Sequence, residues 1–265
     1  MNKLNKSFAF AAGIAVLGGI SAQAQAVSGS LLTLKANNFS GTVWTDTSGN
    51  SDNATWSGAG LPTLDAGVTP NGSSALAFTG SSGGFELGTP LSAASGFTVF
   101  AYFQLSAAKF NSRNALTGSA FGGGGIGTLE YDVYQGKQGA LVEETAAIDN
   151  GTAVLPTTSF SLIDLAINGS GSAYDLNGSP DASAGTGATF SHTLGTIGNN
   201  NGTGEGLDGL LAEIDIYSGV LTGSQIAQQE AYLTSEYVTV PEPSSWVMLA
   251  GGLGTLVAVR RFRRS

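Results

Sequence analysis

The chain has no cysteine and a single histidine, His192. The first absence removes disulfides, thiolate metal sites and a cysteine nucleophile. It says nothing about export, because a core of this size is stable without covalent staples. The second removes any histidine-based triad and any metal centre with several imidazoles. Basic residues are scarce as well, 10 against 19 acidic ones, for a formal charge of -9. They gather at the ends: Lys3 and Lys6 near the start, and Arg260, Arg261, Arg263 and Arg264 near the finish. The stretch between keeps Lys35, Lys109, Arg113 and Lys137, yet it holds every acidic residue except Glu242. So acidic a body repels phosphate backbones, which speaks against nucleic acid as a partner. It suits a domain outside the cytoplasm, with acidic loops able to draw divalent cations. Gly122 to Gly127 is glycine-rich, but no Lys-Ser/Thr and no helix signal follow, so it is not a phosphate loop.

What is present begins with the ends. Residues 1–26 carry the positive Lys3 and Lys6, an apolar run from Phe8 to Ile20, and two small-x-small sites, Ala22-Gln23-Ala24 and Ala24-Gln25-Ala26. That pattern predicts a signal peptide cut after Ala24 or Ala26. Residues 240–265 carry Pro241, Glu242 and Pro243, an apolar run over 246–259, and then the four arginines. The prolines close off whatever precedes them, since neither can continue a helix or a central strand. The run predicts a transmembrane helix, short against the roughly 20 residues of an ordinary span, so that tilt or arginine snorkelling helps it fit. The arginines hold its end on the cytoplasmic side. The three features in this order resemble the PEP-CTERM sorting signal. The resemblance implies an exosortase-type membrane protease as partner and membrane anchoring by the tail before processing. It also implies a final place in the outer envelope or extracellular matrix of a bacterium that makes exopolysaccharide.

Residues 27–239 show short apolar or alternating runs: Leu31–Leu34, Ala75–Phe78, Phe97–Leu105, Leu129–Tyr134, Ser161–Ile167 and Leu210–Tyr217. Turn signals such as Asn150-Gly151, Asn177-Gly178 and Asp208-Gly209 fall between them. Many short strands with glycine-rich turns predict an all-β sandwich. Phe97–Leu105 is apolar on both faces, which predicts a central strand. Leu210–Tyr217 alternates, with Glu213 and Asp215 on one face and Ala212, Ile214 and Ile216 on the other, which predicts a half-buried strand. Thr222-Gly-Ser-Gln225 has the form of a capping box, opening a helix whose Ile226, Tyr232 and Leu233 face the core. Gly118 to Gly127 and Asn168 to Ala188 read as loops.

Two groups of residues carry a second resemblance. Val43–Asn50, Ala75–Gly80 and Phe97–Ala101 come first; Ile197-Gly198, Gly206–Gly209, Ala212–Tyr217, Leu221 and the helix to Tyr237 follow. Their order is similar to that of LamG-like, concanavalin A-like jelly-roll domains. The resemblance covers most of residues 30–238 and implies that fold, with a short C-terminal helix.

Four segments are candidates for chemistry. Glu213-Ile-Asp215-Ile-Tyr-Ser218 resembles the E-x-D-x-x-E strand of laminarinase-type hydrolases, but Ser218 stands where the last acid belongs. Retaining hydrolysis needs two carboxyls about 5 Å apart, and acids on a solvated strand face explain the segment as well. Glu130-Tyr-Asp132-Val-Tyr-Gln135 fails in the same way at Gln135, although Tyr131 and Tyr134 have faces on which a sugar can stack. Asp46, Asn50 and Asp52, with Asn53, offer oxygens for Ca²⁺, which takes about six to eight; a turn of self-bonding Asx side chains is the alternative. Asn199 to Asp208 is equally rich in oxygen and equally consistent with a turn. With no complete catalytic set, the sequence points to a non-enzymatic envelope or matrix protein that binds exopolysaccharide or other surface glycan, or builds structure. Trp44, Trp56, Tyr102 and Tyr131 are its stacking candidates. Two alternatives stay open: a polysaccharide-degrading enzyme using Glu130, Asp132 or Glu143, and a calcium-dependent adhesion module.

Overall fold

In the computed structural model of the chain, the residues described are 24–92, 96–107, 114–118, 128–134, 137–144, 149–150, 155–168, 171–184, 193–199 and 206–238. His192, the tail over 240–265 and all of the leader except Ala24, Gln25 and Ala26 lie outside them. Among the described residues no helix is long and apolar enough to cross a membrane.

The described elements are sixteen strands and one helix. The strands are β1 (Ser30–Ser40), β2 (Val43–Asp46), β3 (Ala54–Ser57), β4 (Thr63–Asp65), β5 (Ala75–Thr79), β6 (Gly84–Ser92), β7 (Phe97–Leu105), β8 (Asn114–Gly118), β9 (Thr128–Tyr134), β10 (Lys137–Glu144), β11 (Asp149–Asn150), β12 (Ser161–Asn168), β13 (Gly171–Leu176), β14 (Ser179–Ala184), β15 (Thr193–Ile197) and β16 (Asp208–Ser218). The helix is α1 (Gly223–Tyr237).

They form a β-sandwich of two layers. One layer runs β14-β13-β12-β7-β16, with β1 against the second half of β16 and β5, which carries β4, against its first half. The other layer runs β2-β3-β6-β15-β8-β9-β10-β11. β1 belongs to both. Its Leu32 to Lys35 pair with Ile216 to Glu213, and after an irregularity Phe39 and Ser40 pair with Trp44 and Val43.

The core lies between the layers. Phe97, Val99, Ala101, Phe103 and Leu105 of β7 and Ile214 and Ile216 of β16 meet Trp44, Phe85 and Leu87 of the facing layer. Alternation turns Phe100 and Tyr102 to the reverse side. In an open sandwich that side would meet water. Here α1 lies over it, and Tyr232, Leu233 and Tyr237 pack with Phe100, Tyr102, Leu162 and Tyr217. β7 is therefore buried on both faces, as its run of apolar residues predicts. Burying Leu233 alone is worth about 1.5–3 kcal/mol. The helix starts where its sequence says: Gln225 donates its backbone N–H to Thr222 Oγ1, and Thr222 donates its own to Gln225 Oε1 at 3.0 Å.

Two sequence expectations change. Asn168 to Ala188, read as a loop, contains β13 and β14. The pair is made of small and polar residues with little apolar alternation, and Asn177 (φ 53°) and Gly178 (φ 73°) form its two-residue turn. Strand β16, read as half-buried, is buried from Leu211 to Tyr217. A register shift between Leu211 and Glu213 moves Ala212 from the face of Ile214 and Ile216 to the layer beneath α1.

Candidate functional site

The acids of β16 make the most concentrated ionisable site beneath the helix. Their strand runs centrally, and α1 covers the face on which the alternation puts them. Glu213 and Asp215 are each 1 % exposed, so the expected solvated face does not exist. Burial must be offset by partners. Tyr237 Oη donates to Glu213 Oε2 at 2.5 Å, and Gln229 Nε2 donates to Asp215 Oδ2 at 2.8 Å. Gln229 Oε1 accepts the backbone N–H of Val27 at 2.9 Å, and Tyr217 Oη donates to Val27 O at 3.1 Å. Lys35 Nζ stands 3.7 Å from Glu213 Oε2 and donates to Tyr232 Oη.

Glu213 Oε1 is buried and has no hydrogen-bond partner. Burial, reinforced by the charge of Asp215, pushes Glu213 well above the usual carboxylic range. Burial also pushes Asp215 up to about 6, against the pull of Thr33, Glu213, Lys35 and Gln229. Burial thus works against charge on both carboxyls. Burial alone would lower Lys35, but Glu213 first, then Tyr232 and Glu236, raise it, so it stays cationic.

A cavity of about 570 Å³ opens beside the network, lined among others by Val27, Thr33, Lys35, Glu213, Asp215 and Tyr232. Through Tyr237 and Gln229 the pair ties α1 and the Val27 segment to β16.

The other candidates fall as follows. Asp46 accepts the N–H groups of Thr33 and Ser48 on Oδ1, at 3.0 and 2.9 Å, and Ser48 Oγ and the Asp52 N–H on Oδ2, at 2.7 and 3.1 Å. Asn50 turns its amide N–H groups to the carbonyls of Ser30 and Leu31, and Asn53 Oδ1 accepts the Asp46 N–H. Four donors account for the four lone-pair directions of the Asp46 carboxylate. Burial would raise Asp46, but the bonds from Ser48, Thr33 and Asp52 outweigh it and hold the carboxyl below its usual range. The loop is thus held as an Asx-centred turn, and the Ca²⁺ expectation for Asp46, Asn50 and Asp52 has no free Asp46 oxygen to draw on.

Asn199 is fully buried, accepts from Thr196 Oγ1 through its backbone carbonyl and donates to Ser81 O, so its end of the Asn199–Asp208 segment is a structural turn. Residues 200–205 lie outside the described ones. Glu130 and Asp132 alternate along β9, where Glu130 is the partner of Val142 and Leu129 that of Glu143. The side chains of these three acids lie outside the described ones. Trp44 is fully buried, and Trp56 packs its ring against Phe85 at 5.1 Å. Tyr102 is stacked between Phe160 and Tyr237, at 5.0 and 5.1 Å. Trp44 and Tyr102 belong to the packing, and Trp56 is partly buried against it.

The sequence reading passed over Asp164, Asp175 and Glu230, which the fold brings together. A signal existed: a hairpin closing on Asn168 and Gly171 counts outward to Asp164 opposite Asp175.

Comparison with known proteins agrees with this architecture. The concanavalin A-like lectin/glucanases superfamily matches residues 78–227, more than half of the chain. The chain belongs to that superfamily. A second match, to the PEP-CTERM protein-sorting motif, covers residues 239–264. This marks an exported protein, sorted by an exosortase-type system and associated with the envelope or the extracellular space. None of the curated proteins matches the chain. Among solved structures, domain 4 of AbnA, a GH43 extracellular arabinanase from Geobacillus stearothermophilus in complex with arabinotriose, is 17% identical with a TM-score of 0.59. The match covers 77% of this chain and 98% of that one. Trypanosoma rangeli sialidase in complex with sialic acid is 18% identical with a TM-score of 0.55, over 80% of this chain and 34% of the sialidase. The binding domain of Paraclostridial Mosquitocidal Protein 1 is 11% identical with a TM-score of 0.50, over 78% of this chain and 52% of that one. At these identities the likeness is one of fold.

Proposed function

We propose that this is a non-enzymatic protein of the cell envelope or extracellular matrix whose sandwich binds a surface glycan such as exopolysaccharide. One observation carries the reading: a sorting motif over 239–264 follows a lectin/glucanase-superfamily sandwich, and the solved domain that this sandwich matches over 98% of its length is in complex with arabinotriose. The acids of β16 fit a scaffold better than a catalyst: Glu213 and Asp215 are buried beneath α1 and held there by Tyr237 and Gln229. Binding asks less of a sheet than hydrolysis does, since a concave face with a few oriented polar groups suffices.

The test is a glycan array and a co-sedimentation assay with exopolysaccharide from the producing cells, using the mature protein, alongside a reducing-sugar assay. Saturable retention without sugar release is expected. Absence of binding to every polymer would remove the glycan reading and leave a purely structural role. Sugar release that disappears with Glu130→Gln would replace it with an enzymatic one.

A further inference from the structure

Asp164 of β12 is the direct cross-strand partner of Asp175 of β13. Like charges in such a position oppose pairing. α1 adds a third acid, Glu230, and one oxygen from each of the three lies within 4.8 Å of the others. Asp164 is 3 % exposed, and its Oδ1 accepts no hydrogen bond. Glu230 Oε1 is likewise buried and unpartnered. Among the described residues the one ion pair joins Lys35 to Glu213, so no basic side chain there answers this cluster.

A buried carboxylate with an oxygen that has no donor, grouped with two further carboxyls, wants a positive charge. Three carboxylates are hard, all-oxygen donors of the kind that select Ca²⁺, Mg²⁺ or Mn²⁺. Oxygens within 4.8 Å of one another suit an ion that holds its ligands at about 2.3–2.6 Å, the Ca²⁺ distance, with water completing the shell. Asp175 and Glu230 are half-buried, which leaves an approach from solvent. We propose that Asp164, Asp175 and Glu230 form a divalent-cation site, filled by Ca²⁺, that clamps α1 to the β12–β13 hairpin.

One consequence follows from the geometry. The ion would join the β12–β13 hairpin to the helix that precedes the sorting motif, so loading would stiffen the end of the domain. The proposal is independent of glycan binding.

The experiment uses the mature protein, stripped with a chelator and dialysed against Ca²⁺, Mg²⁺ or Mn²⁺ at about 0.1–10 mM, the range of extracellular calcium modules. Bound metal is counted and the thermal midpoint recorded. One Ca²⁺ per chain is expected, with a midpoint rise of roughly 5–10 °C at about a hundred times the dissociation constant. Asp164→Asn and Glu230→Gln should each abolish uptake and the rise. Asp65→Asn, which removes an acid from β4, should keep both. Should Asp164→Asn fail to fold, Asp175→Asn at the half-exposed position takes its place. The proposal is overturned if the folded protein takes up none of the three ions. It is also overturned if uptake survives Asp164→Asn and Glu230→Gln together. A third overturning result is that Asp164→Asn raises the ion-free midpoint while no ion raises that of the parent; the cluster is then held by its proton alone.

Discussion

Replacing Asp215 with asparagine should make the protein more stable at neutral pH, although it removes a side chain engaged in a buried network. An ordinary aspartate titrates near 3.8, and burial pushes Asp215 up to about 6 in the folded chain. Below about pH 4 both folded and unfolded chains carry the protonated acid. Between about pH 4 and pH 6 the unfolded chain gives up its proton while the folded chain keeps it, so stability falls as pH rises. Above about pH 6 the loss is complete. A rise of about two units corresponds to about 3 kcal/mol at 1.36 kcal/mol per unit. The shift already includes the help of Lys35, Thr33 and Gln229. Asparagine keeps the shape and an acceptor for Gln229 Nε2 but carries no charge at any pH. The gain for Asp215→Asn should be close to zero at pH 3.5 and reach up to about 3 kcal/mol at pH 7.5, or roughly 6–12 °C in midpoint for a domain of this size. Urea unfolding followed by the fluorescence of buried Trp44 would measure it at both pH values. A variant less stable than its parent at pH 7.5, with an unchanged dependence on urea, would refute the reasoning. It would mean that the carboxylate form is what the network was built to hold.

The same assay checks four more expectations. Tyr237→Phe removes the donor to Glu213 Oε2 and should cost about 1–3 kcal/mol, with little change in the circular dichroism of the sheet. Asp46→Ala releases the N–H groups of Thr33, Ser48 and Asp52 and should cost about 1–3 kcal/mol at pH 7; because its partners lower the Asp46 carboxyl, the difference should vanish as pH falls below the ordinary 3.8 and through the folded value. Gly206→Ala puts a Cβ 1.9 Å from Ser81 O, a backbone atom that cannot step aside, and should cost roughly 2–3 kcal/mol. Gly223→Ala, in open space at the start of α1, should add about 0.5 kcal/mol.

The fold was largely legible because its signals are local. The apolar runs at Phe97–Leu105 and Ser161–Ile167 became β7 and β12, and the Thr222–Gln225 capping box opens α1 as read. What stayed hidden depends on a third layer. Alternation in Glu213-Ile-Asp215 says that two faces differ; it cannot say that a helix beginning after Ser218 folds back over the polar one. The period-two rule also breaks at Ala212, where the strand carries an extra residue. Asp164 and Asp175 are eleven positions apart and become neighbours only through the β12–β13 register. Tyr102 reads as a surface ring until Phe160 and Tyr237 are seen on its two faces.

That third layer has a consequence for the chain's two ends. α1 binds the start of the described chain through Gln228, which donates to Gln25 O, and through Gln229 at the Val27 N–H. Its last turn is held by Asn71, whose side chain donates to Glu236 O and whose N–H donates to Tyr237 O at 3.1 Å. These bonds satisfy terminal carbonyls that would otherwise lack partners. The sorting-motif match begins at residue 239, directly after this anchored turn. A helix fixed by apolar packing alone would be indifferent to pH and ions. This one also rests on two acid clusters, Glu213 with Asp215 and Asp164 with Asp175 and Glu230, so its docking responds to charge. The helix that leads into the sorting-motif match is therefore held by ionisable partners as well as by apolar packing.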